Sequence, residues 1–197
     1  MIRHRIALLL AGTAALAACD GADVAINGKE GVPLSQIEIA GAPPSEVVLA
    51  SGDTVILTEG NIFAIKVEGS DTDSLRFVRD GEVIGITREK GWDGDSNATI
   101  RITMPAPKEV TIAGSGTIRA ASLASTSEIS IGGSGTVEFG SIAAEKLGIN
   151  IGGSGKVSGA GTVRSLAISI GGSGDVEMQG LKADTADIAI GGAGDVA

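Results

Sequence analysis

The chain has few aromatic residues and very few side chains that act as nucleophiles or as soft metal ligands. Its 197 residues include three Phe, one Trp, no Tyr, one Cys and one His. The histidine is His4, which lies in a predicted signal peptide, and the cysteine is Cys19, which is predicted to carry lipid. Without an imidazole or a free thiolate, the rest of the sequence contains no Ser-His-Asp triad, no Cys-His pair and no zinc site built on these ligands. These absences predict a protein that is not an enzyme and that has no metal or cofactor.

The shortage of aromatic residues also limits the kind of core that the chain can form. Its hydrophobic residues are nearly all Ala, Val, Ile and Leu, and they occur beside 31 glycines. Such residues suit short strands that stack aliphatic side chains in narrow layers. We therefore expect a thin, repetitive core.

Residues 1–18 have the features of a bacterial signal peptide. Arg3 and Arg5 precede an apolar run from Ile6 to Ala15 that is too short to span a bilayer. Leu16-Ala17-Ala18-Cys19 then resembles a lipobox, the signal at which lipoproteins are cleaved before a cysteine that carries lipid. We therefore expect export, lipid attachment at Cys19, and a membrane-anchored lipoprotein in the cell envelope.

The predicted mature chain is strongly acidic. Removal of residues 1–18 leaves 13 basic residues against 24 acidic ones, a net charge of −11. Such a protein repels nucleic acid and anionic head groups, so we expect no nucleic-acid partner, and membrane attachment depends on the acyl chains of Cys19. Residues 19–33 are small and polar, which predicts a flexible tether between this cysteine and the folded part.

Residues 34–105 alternate apolar and polar side chains with period two, as in Phe63, Ile65 and Val67. This pattern predicts a series of strands, the N-terminal part of the fold. The pair Asp80-Gly81 lies between two apolar runs and predicts a tight hairpin turn.

Residues 106–197 repeat one Gly-rich phrase five times. The phrase begins at Ile112, Ile131, Ile151, Ile170 and Ile190, at intervals of 19 or 20 residues. Three copies have the form Ile-Gly-Gly-Ser-Gly-x-Val; the first has Ala113 and Ile118 in place of the first glycine and the valine, and the fifth has Ala193 in place of the serine. A repeat this short cannot bury its own apolar face, so each copy must stack on the next. The spacing predicts an all-β fold, a right-handed parallel β-helix (β-solenoid) with coils of about 20 residues.

The Gly-rich phrases are predicted to form the corners of this solenoid. We expect their glycines to supply positive φ angles, and the stacked serines to form a hydrogen-bonded ladder along the axis. The serines are Ser115, Ser134, Ser154 and Ser173. The sequence stops within the fifth phrase, at Asp195-Val196-Ala197, which predicts unpaired backbone groups on the last coil and self-association through this C-terminal edge.

The repeated phrase Ile170-Gly-Gly-Ser-Gly-Asp-Val176, the strand region ending in Ile102-Thr-Met-Pro105 and the lipobox together resemble the auto-transporter adhesin head GIN domain family. The resemblance covers residues 34–197. It implies a right-handed β-helix, a place in the bacterial envelope and an adhesin-like role, and it provides no catalytic residues.

Three local features suggest other chemistry. Asp93-Gly-Asp95-Ser-Asn97 begins like a calcium-binding loop but lacks its later glycine and glutamate, so an acidic turn is the favoured interpretation. Trp92 lies in a predicted loop, where it either stacks on a ligand or covers the end of the solenoid. Asp175 and Asp195 are expected one coil apart, a separation that suits a pair of catalytic carboxylates on a polysaccharide.

The sequence therefore favours a non-enzymatic envelope lipoprotein, a β-helical scaffold for adhesion or for binding another envelope component. We expect a protein or glycan partner on a face of the solenoid. Two alternatives stay open: a polysaccharide-acting β-helix enzyme that uses carboxylates, and an accessory domain of an envelope signalling or secretion system.

Overall fold

The structure is a computed structural model, and it describes residues 16–17 and 25–197. Most of the predicted signal peptide and Cys19 lie outside the described residues. Fifteen strands are present among them: β1 (Leu16–Ala17), β2 (Ala25–Ile26), β3 (Glu46–Leu49), β4 (Thr54–Glu59), β5 (Ala64–Glu68), β6 (Leu75–Asp80), β7 (Val83–Arg88), β8 (Thr99–Met104), β9 (Glu109–Ile112), β10 (Thr117–Ala120), β11 (Thr126–Ile131), β12 (Thr136–Ile151), β13 (Lys156–Ile170), β14 (Asp175–Ile190) and β15 (Asp195–Val196). Two short 3-10 turns, Leu34–Gln36 and Thr72–Ser74, complete the set.

The strands wind into a parallel β-solenoid. One stack runs β7, β3, β9, β11 and the C-terminal halves of β12 to β14. A second stack runs β8, β4, β10, the N-terminal halves of β12 to β14, and β15. Each of the long strands β12, β13 and β14 follows most of one coil. The predicted all-β solenoid with coils of about 20 residues is confirmed.

The N-terminal coils stack in an order that differs from their order in the sequence. The chain first forms β3 and β4, then makes β5 and β6, and only then β7 and β8. Because β7 pairs with the outer edge of β3 while β9 pairs with its inner edge, the later strands form the first layer. The antiparallel strands β5 and β6 pair with β8 and β7 and thereby cover this end of the solenoid.

Aliphatic side chains form continuous columns inside the solenoid. Strict register places isoleucine or valine above isoleucine or valine from coil to coil, and each such side chain contributes about 1.5–3 kcal/mol when fully buried. One column contains Ile84, Val47, Val110, Ile129, Ile149 and Ile168, all at most 3% exposed, and ends at Ile188. At the last coil, Ile188 and Ile190 are 47% and 44% exposed.

The corners differ from the sequence expectation in how they use glycine. No corner glycine of the five phrases has a left-handed φ angle, so the expected positive φ is wrong for them. Close stacking is the physical reason for glycine instead: a Cβ on Gly153 would lie 2.0 Å from the carbonyl oxygen of Gly133 in the adjacent coil. The hairpin prediction at Asp80-Gly81 is confirmed, since β6 and β7 pair antiparallel around a turn in which Gly81 has φ +57°.

The axial hydrogen bonds at the corners come from the backbone. The amide of Ser154 donates to the Gly133 carbonyl at 3.0 Å, and the amide of Ser173 donates to the Gly153 carbonyl at 3.0 Å. The four serines of the predicted ladder are exposed, and the hydrogen bonds of the described residues include none between their hydroxyls. The corner glycines and amides therefore provide the continuity that we expected from the serine side chains.

Part of the predicted tether packs on the domain. Ile26 is completely buried against Val48, Val78 and Val83, and Val32 exchanges two backbone hydrogen bonds with Phe77, at 2.8 and 2.9 Å. Residues 25–33 therefore belong to the folded unit, because Ile26 packs on strands β3, β6 and β7 and Val32 pairs with the backbone of β6. Residues 19–24 of the predicted tether lie outside the described residues.

Candidate binding face

One face of the solenoid carries a row of carboxylates that no cation in the same row neutralises. Register aligns the outward positions of the first stack, so that each lies about 4.8 Å from the next. The row contains, in order, Glu46, Glu109, Glu128, Gly148, Ala167 and Asp187, and we call it the acidic row. A second outward column, two residues along each strand, contains Val48, Thr111, Ser130, Asn150, Ser169 and Ala189. Neither column contains a lysine or an arginine.

The acidic row borders a shallow groove in the sheet face. The groove has a volume of about 380 Å³ and is lined by Glu128, Gly148, Asn150, Ala167, Ile168, Ser169, Asp187 and Ala189. Gly148 and Ala167 form its low floor because they have little or no side chain. The amide of Asn150 donates to Glu128 Oε1 at 2.8 Å and fixes this carboxylate at one end, while Asp187 lies at the other end. The groove therefore offers hydrogen-bonding groups between two acids.

The environment of Glu46 and Glu109 disfavours their negative charges. Burial raises the pKa of Glu109, and the neighbouring charges of Glu46 and Glu128 raise this pKa further. Burial, with repulsion from Glu82, likewise raises the pKa of Glu46, against a smaller opposing effect of Lys108. These carboxylates are thus partly desolvated and repel one another, as expected of charges stacked at the spacing of a β-sheet.

The face formed by the second stack is different, because two pairs of opposite charges form between its strands. Arg119 Nε lies 2.7 Å from Glu138 Oε2, and Lys156 Nζ lies 2.6 Å from Glu177 Oε1. These ion pairs join neighbouring coils and are solvent-exposed, so each contributes at most about 1 kcal/mol. Arg119 and Lys156 on this face are thus paired with carboxylates of the protein, whereas none of the four carboxylates of the acidic row makes an ion pair with a described residue.

The pair Asp175 and Asp195 is adjacent, as the repeat spacing predicts. The two residues are register partners on β14 and β15, and Lys156 is the register partner of Asp175 on the other side. Both aspartates are exposed, and they lie on the second stack, away from the groove. The structure thus brings the two carboxylates together without enclosing a site around them.

The acidic loop between β7 and β8 is a turn that Trp92 covers. The Arg88 guanidinium lies 5.2 Å from the centre of the Trp92 ring, and a Cβ on Gly94 would lie 2.4 Å from the same ring. Asp93 and Asp95 are exposed, and the flanking elements are strands rather than the helices of a calcium-binding hand. Among residues 25–197, no group of three or more acidic side chains is arranged to hold a metal ion.

A buried ion pair that the sequence did not predict joins the first two layers. Asp53 is completely buried, and its carboxylate accepts hydrogen bonds from Arg88 Nε at 2.8 Å, Ser51 Oγ at 2.8 Å and the Ala98 amide at 3.0 Å. Arg88 Nη2 makes a second contact with the same carboxylate. The only signal in the sequence was that Ser51-Gly52-Asp53 has the composition of a corner. The role of this pair is structural, because both charges are enclosed.

A second, larger cavity lies beside the β6–β7 hairpin and has a volume of about 430 Å³. Its charged lining is largely paired within the protein. Arg76 Nη2 contacts Glu89, and the same guanidinium donates to the Asp73 carbonyl at 2.7 Å. The cavity therefore presents less unneutralised charge than the acidic row does.

No helix among the described residues is long and apolar enough to cross a membrane. No curated protein is significantly similar to the chain in sequence.

Two crystal structures share the fold at low sequence identity. A "putative adhesin" from Bacteroides fragilis NCTC 9343 superposes with a TM-score of 0.60 at 14% identity, over 81% of this chain and 93% of that one. A "putative lipid binding protein" from Parabacteroides distasonis ATCC 8503 superposes with a TM-score of 0.51 at 17% identity, over 82% and 94% of the two chains. A family model matches residues 43–197, and the chain therefore belongs to the family described as "Putative auto-transporter adhesin, head GIN domain".

Proposed function

We propose that this protein is a non-enzymatic lipoprotein of the bacterial cell envelope, anchored through Cys19, and that its solenoid is a scaffold for adhesion or for binding another envelope component. Membership of an adhesin family supports the binding role. The names of the two structural relatives, an adhesin and a lipid-binding protein, are consistent with it. The lipobox-like sequence supports the anchor.

The observation that carries the binding role is the contrast between the packed interior and the open acidic row. The interior columns are filled mainly with aliphatic side chains. The acidic row, in contrast, places four carboxylates on an outer surface without cations of its own. A surface of this kind selects partners by electrostatic complementarity, because an opposing positive surface removes the repulsion within the row.

The anchor is tested by Cys19→Ala in the full-length chain expressed in a bacterial host. The native protein should sediment with membranes and carry the mass of a diacylglyceryl group, and the variant should appear in the soluble fraction. Ser125→Ala, an exposed substitution far from the lipobox, is the matched control and should leave membrane association unchanged. A Cys19→Ala protein that stays in the membrane fraction contradicts the anchor.

The binding face is tested by reversing one charge on each face. We expect Asp187→Lys to reduce binding of the purified protein to immobilised cell-envelope material at least tenfold, because it removes an acid from the groove. Glu177→Lys changes the same charge on the paired face and should change binding less than twofold. Equal losses in both variants would show that only net charge matters, and the proposed face would be wrong.

The register of Asp175 and Asp195 favours one alternative, a polysaccharide-acting enzyme. A screen of acidic and neutral glycans tests it, since hydrolysis by the native protein that disappears in Asp175→Asn would favour the enzyme.

Self-association through the last coil, where Ile188 and Ile190 are exposed, is a separate proposal. Analytical ultracentrifugation showing a monomer at high micromolar concentration would contradict it.

A further inference from the structure

Only a short piece of chain separates the predicted lipid from the folded domain. The packed part begins at Ala25 and Ile26, and Ile26 is completely buried. Cys19 precedes Ala25 by six residues, which span at most ~22 Å when fully extended. Whatever their conformation, these residues keep the point of attachment within this distance of the lipid head groups.

The point of attachment belongs to the N-terminal end of the solenoid. Ile26 packs against Val78 of β6, and the next residue, Arg79, connects this strand to two loops. The Arg79 guanidinium lies 5.5 Å from the centre of the Phe63 ring, and its Nη2 donates a hydrogen bond to the Ala42 carbonyl. The loops around residues 37–42 and 60–63 are therefore held close to the segment that leads to the lipid.

These two loops carry exposed isoleucines. Ile62 is 78% exposed and Ile39 is 42% exposed. The other large hydrophobic residues that are exposed among the described residues, Ile188 and Ile190, lie at the opposite end of the solenoid. Six strand spacings separate Ile84 in the first layer from Ile188 in the last, about 29 Å at 4.8 Å per spacing.

We propose that the N-terminal end of the solenoid lies against the lipid bilayer, with Ile62 and Ile39 in contact with it, and that the solenoid axis points away from the membrane. This proposal rests on the proposed lipidation of Cys19. The short connection brings this end to the surface, and the exposed isoleucines gain from leaving water for the interfacial region. The acidic row runs along the axis from Glu46 near this end, so this orientation holds its last two carboxylates, Glu128 and Asp187, farthest from the anionic head groups that would repel them and open to a partner.

Fluorescence quenching on vesicles tests this orientation. Lipidation occupies the Cys19 sulfur and the chain has no other cysteine, so Ile62→Cys and Ile188→Cys each provide one thiol for a fluorophore. The two sites are matched in residue type and lie at opposite ends of the solenoid. The lipidated proteins are placed in vesicles of phosphatidylethanolamine and phosphatidylglycerol that contain a lipid with a nitroxide on its head group. Quenching should be at least threefold stronger for the label at position 62 than for the label at position 188.

The outcomes separate this proposal from the proposed function. A lipidated protein in which position 188 is quenched as strongly as position 62 overturns the end-on orientation and leaves the anchor intact. A mature protein whose mass shows no lipid overturns both. Strong quenching at position 62 that disappears when Cys19→Ala is added supports both together.

Discussion

The carbonyl oxygen of Gly133 lies 2.0 Å from the point that a Cβ atom on Gly153 would occupy in the next coil. No real Cβ approaches an oxygen this closely, so the second glycine of each phrase is required by the stacking of the coils. The first glycine of the phrase is not required in this way, because the atom nearest to a Cβ on Gly152 would be the Ile131 carbonyl oxygen, at 4.0 Å. The first phrase agrees, because Ala113 occupies the corresponding position there.

We therefore expect Gly153→Ala to lower the free energy of unfolding by about 1–3 kcal/mol, because the coils must separate to admit the methyl group. Gly152→Ala is the control, and it should leave stability unchanged or raise it by up to about 1 kcal/mol. Urea unfolding followed by circular dichroism measures both. Similar losses in the two variants would contradict the stacking argument.

The ion pair between Asp53 and Arg88 should be sensitive to the loss of either partner. We expect Asp53→Asn or Arg88→Met to cost about 3–5 kcal/mol, because each leaves an enclosed charge without its counter-charge. The double variant should cost less than the sum of the two single changes.

An exposed pair provides the control for this experiment. Lys156→Met removes the cation of the Lys156–Glu177 pair and should cost less than about 1 kcal/mol. Urea unfolding of the four variants and the native protein gives the coupling energy. Additive losses at Asp53 and Arg88 would show that the two residues do not act as a pair.

The acidic row should make stability depend on pH. Because the pKa of Glu109 is raised in the folded state, its carboxyl group stabilises the fold when it is protonated. This contribution is complete below the pKa of Glu109 in the unfolded chain, near 4.3, and is lost as pH rises through the pKa of Glu109 in the folded protein. Glu109→Gln should therefore be more stable than the native protein at pH 7 and about equal to it at pH 4. Urea unfolding at the two pH values measures the difference.

The control for this pH effect is Glu177→Gln. Glu177 is exposed and paired with Lys156, so its replacement should bring no gain at pH 7. A Glu109→Gln gain that is the same at pH 4 and pH 7 would argue against relief of charge repulsion as its source.

Phe139 and Gly159 should be coupled. The ring of Phe139 occupies the space beside Gly159, where a Cβ would lie 2.1 Å from ring atom Cε2. We expect Gly159→Ala to cost about 1–3 kcal/mol in the native background and clearly less when Phe139→Leu is also present. A double-mutant cycle from thermal or urea unfolding measures this coupling, and a coupling energy near zero would mean that the ring moves aside freely.

Several parts of the fold were predictable because their causes are local. The repeat of 19 or 20 residues predicts coils, since so short a unit buries its isoleucines only by stacking. Asp80-Gly81 predicts a hairpin because the turn conformation depends on those two residues. The adjacency of Asp175 and Asp195 follows from the repeat length, because the two residues are one repeat apart.

Other parts depend on contacts between distant segments. No local pattern indicates that β7, which follows β3 by more than 30 residues, forms the layer before it. The pair Asp53–Arg88 joins residues 35 positions apart, and its burial depends on that layer order. The candidate site was missed for the same reason: Glu46, Glu109 and Glu128 are ordinary strand residues until register aligns them.

The sequence by itself determined the repeat, the aliphatic composition of the core and the scarcity of histidine and cysteine, which are represented by His4 and Cys19 alone, because these depend on residue type and spacing alone. The tertiary structure alone decided the order of the first layers, the close approach that requires glycine at the corners, and the packing of residues 25–33 on the domain. It also created the acidic row, because charge repulsion and desolvation arise only when separate strands are brought within one strand spacing of each other.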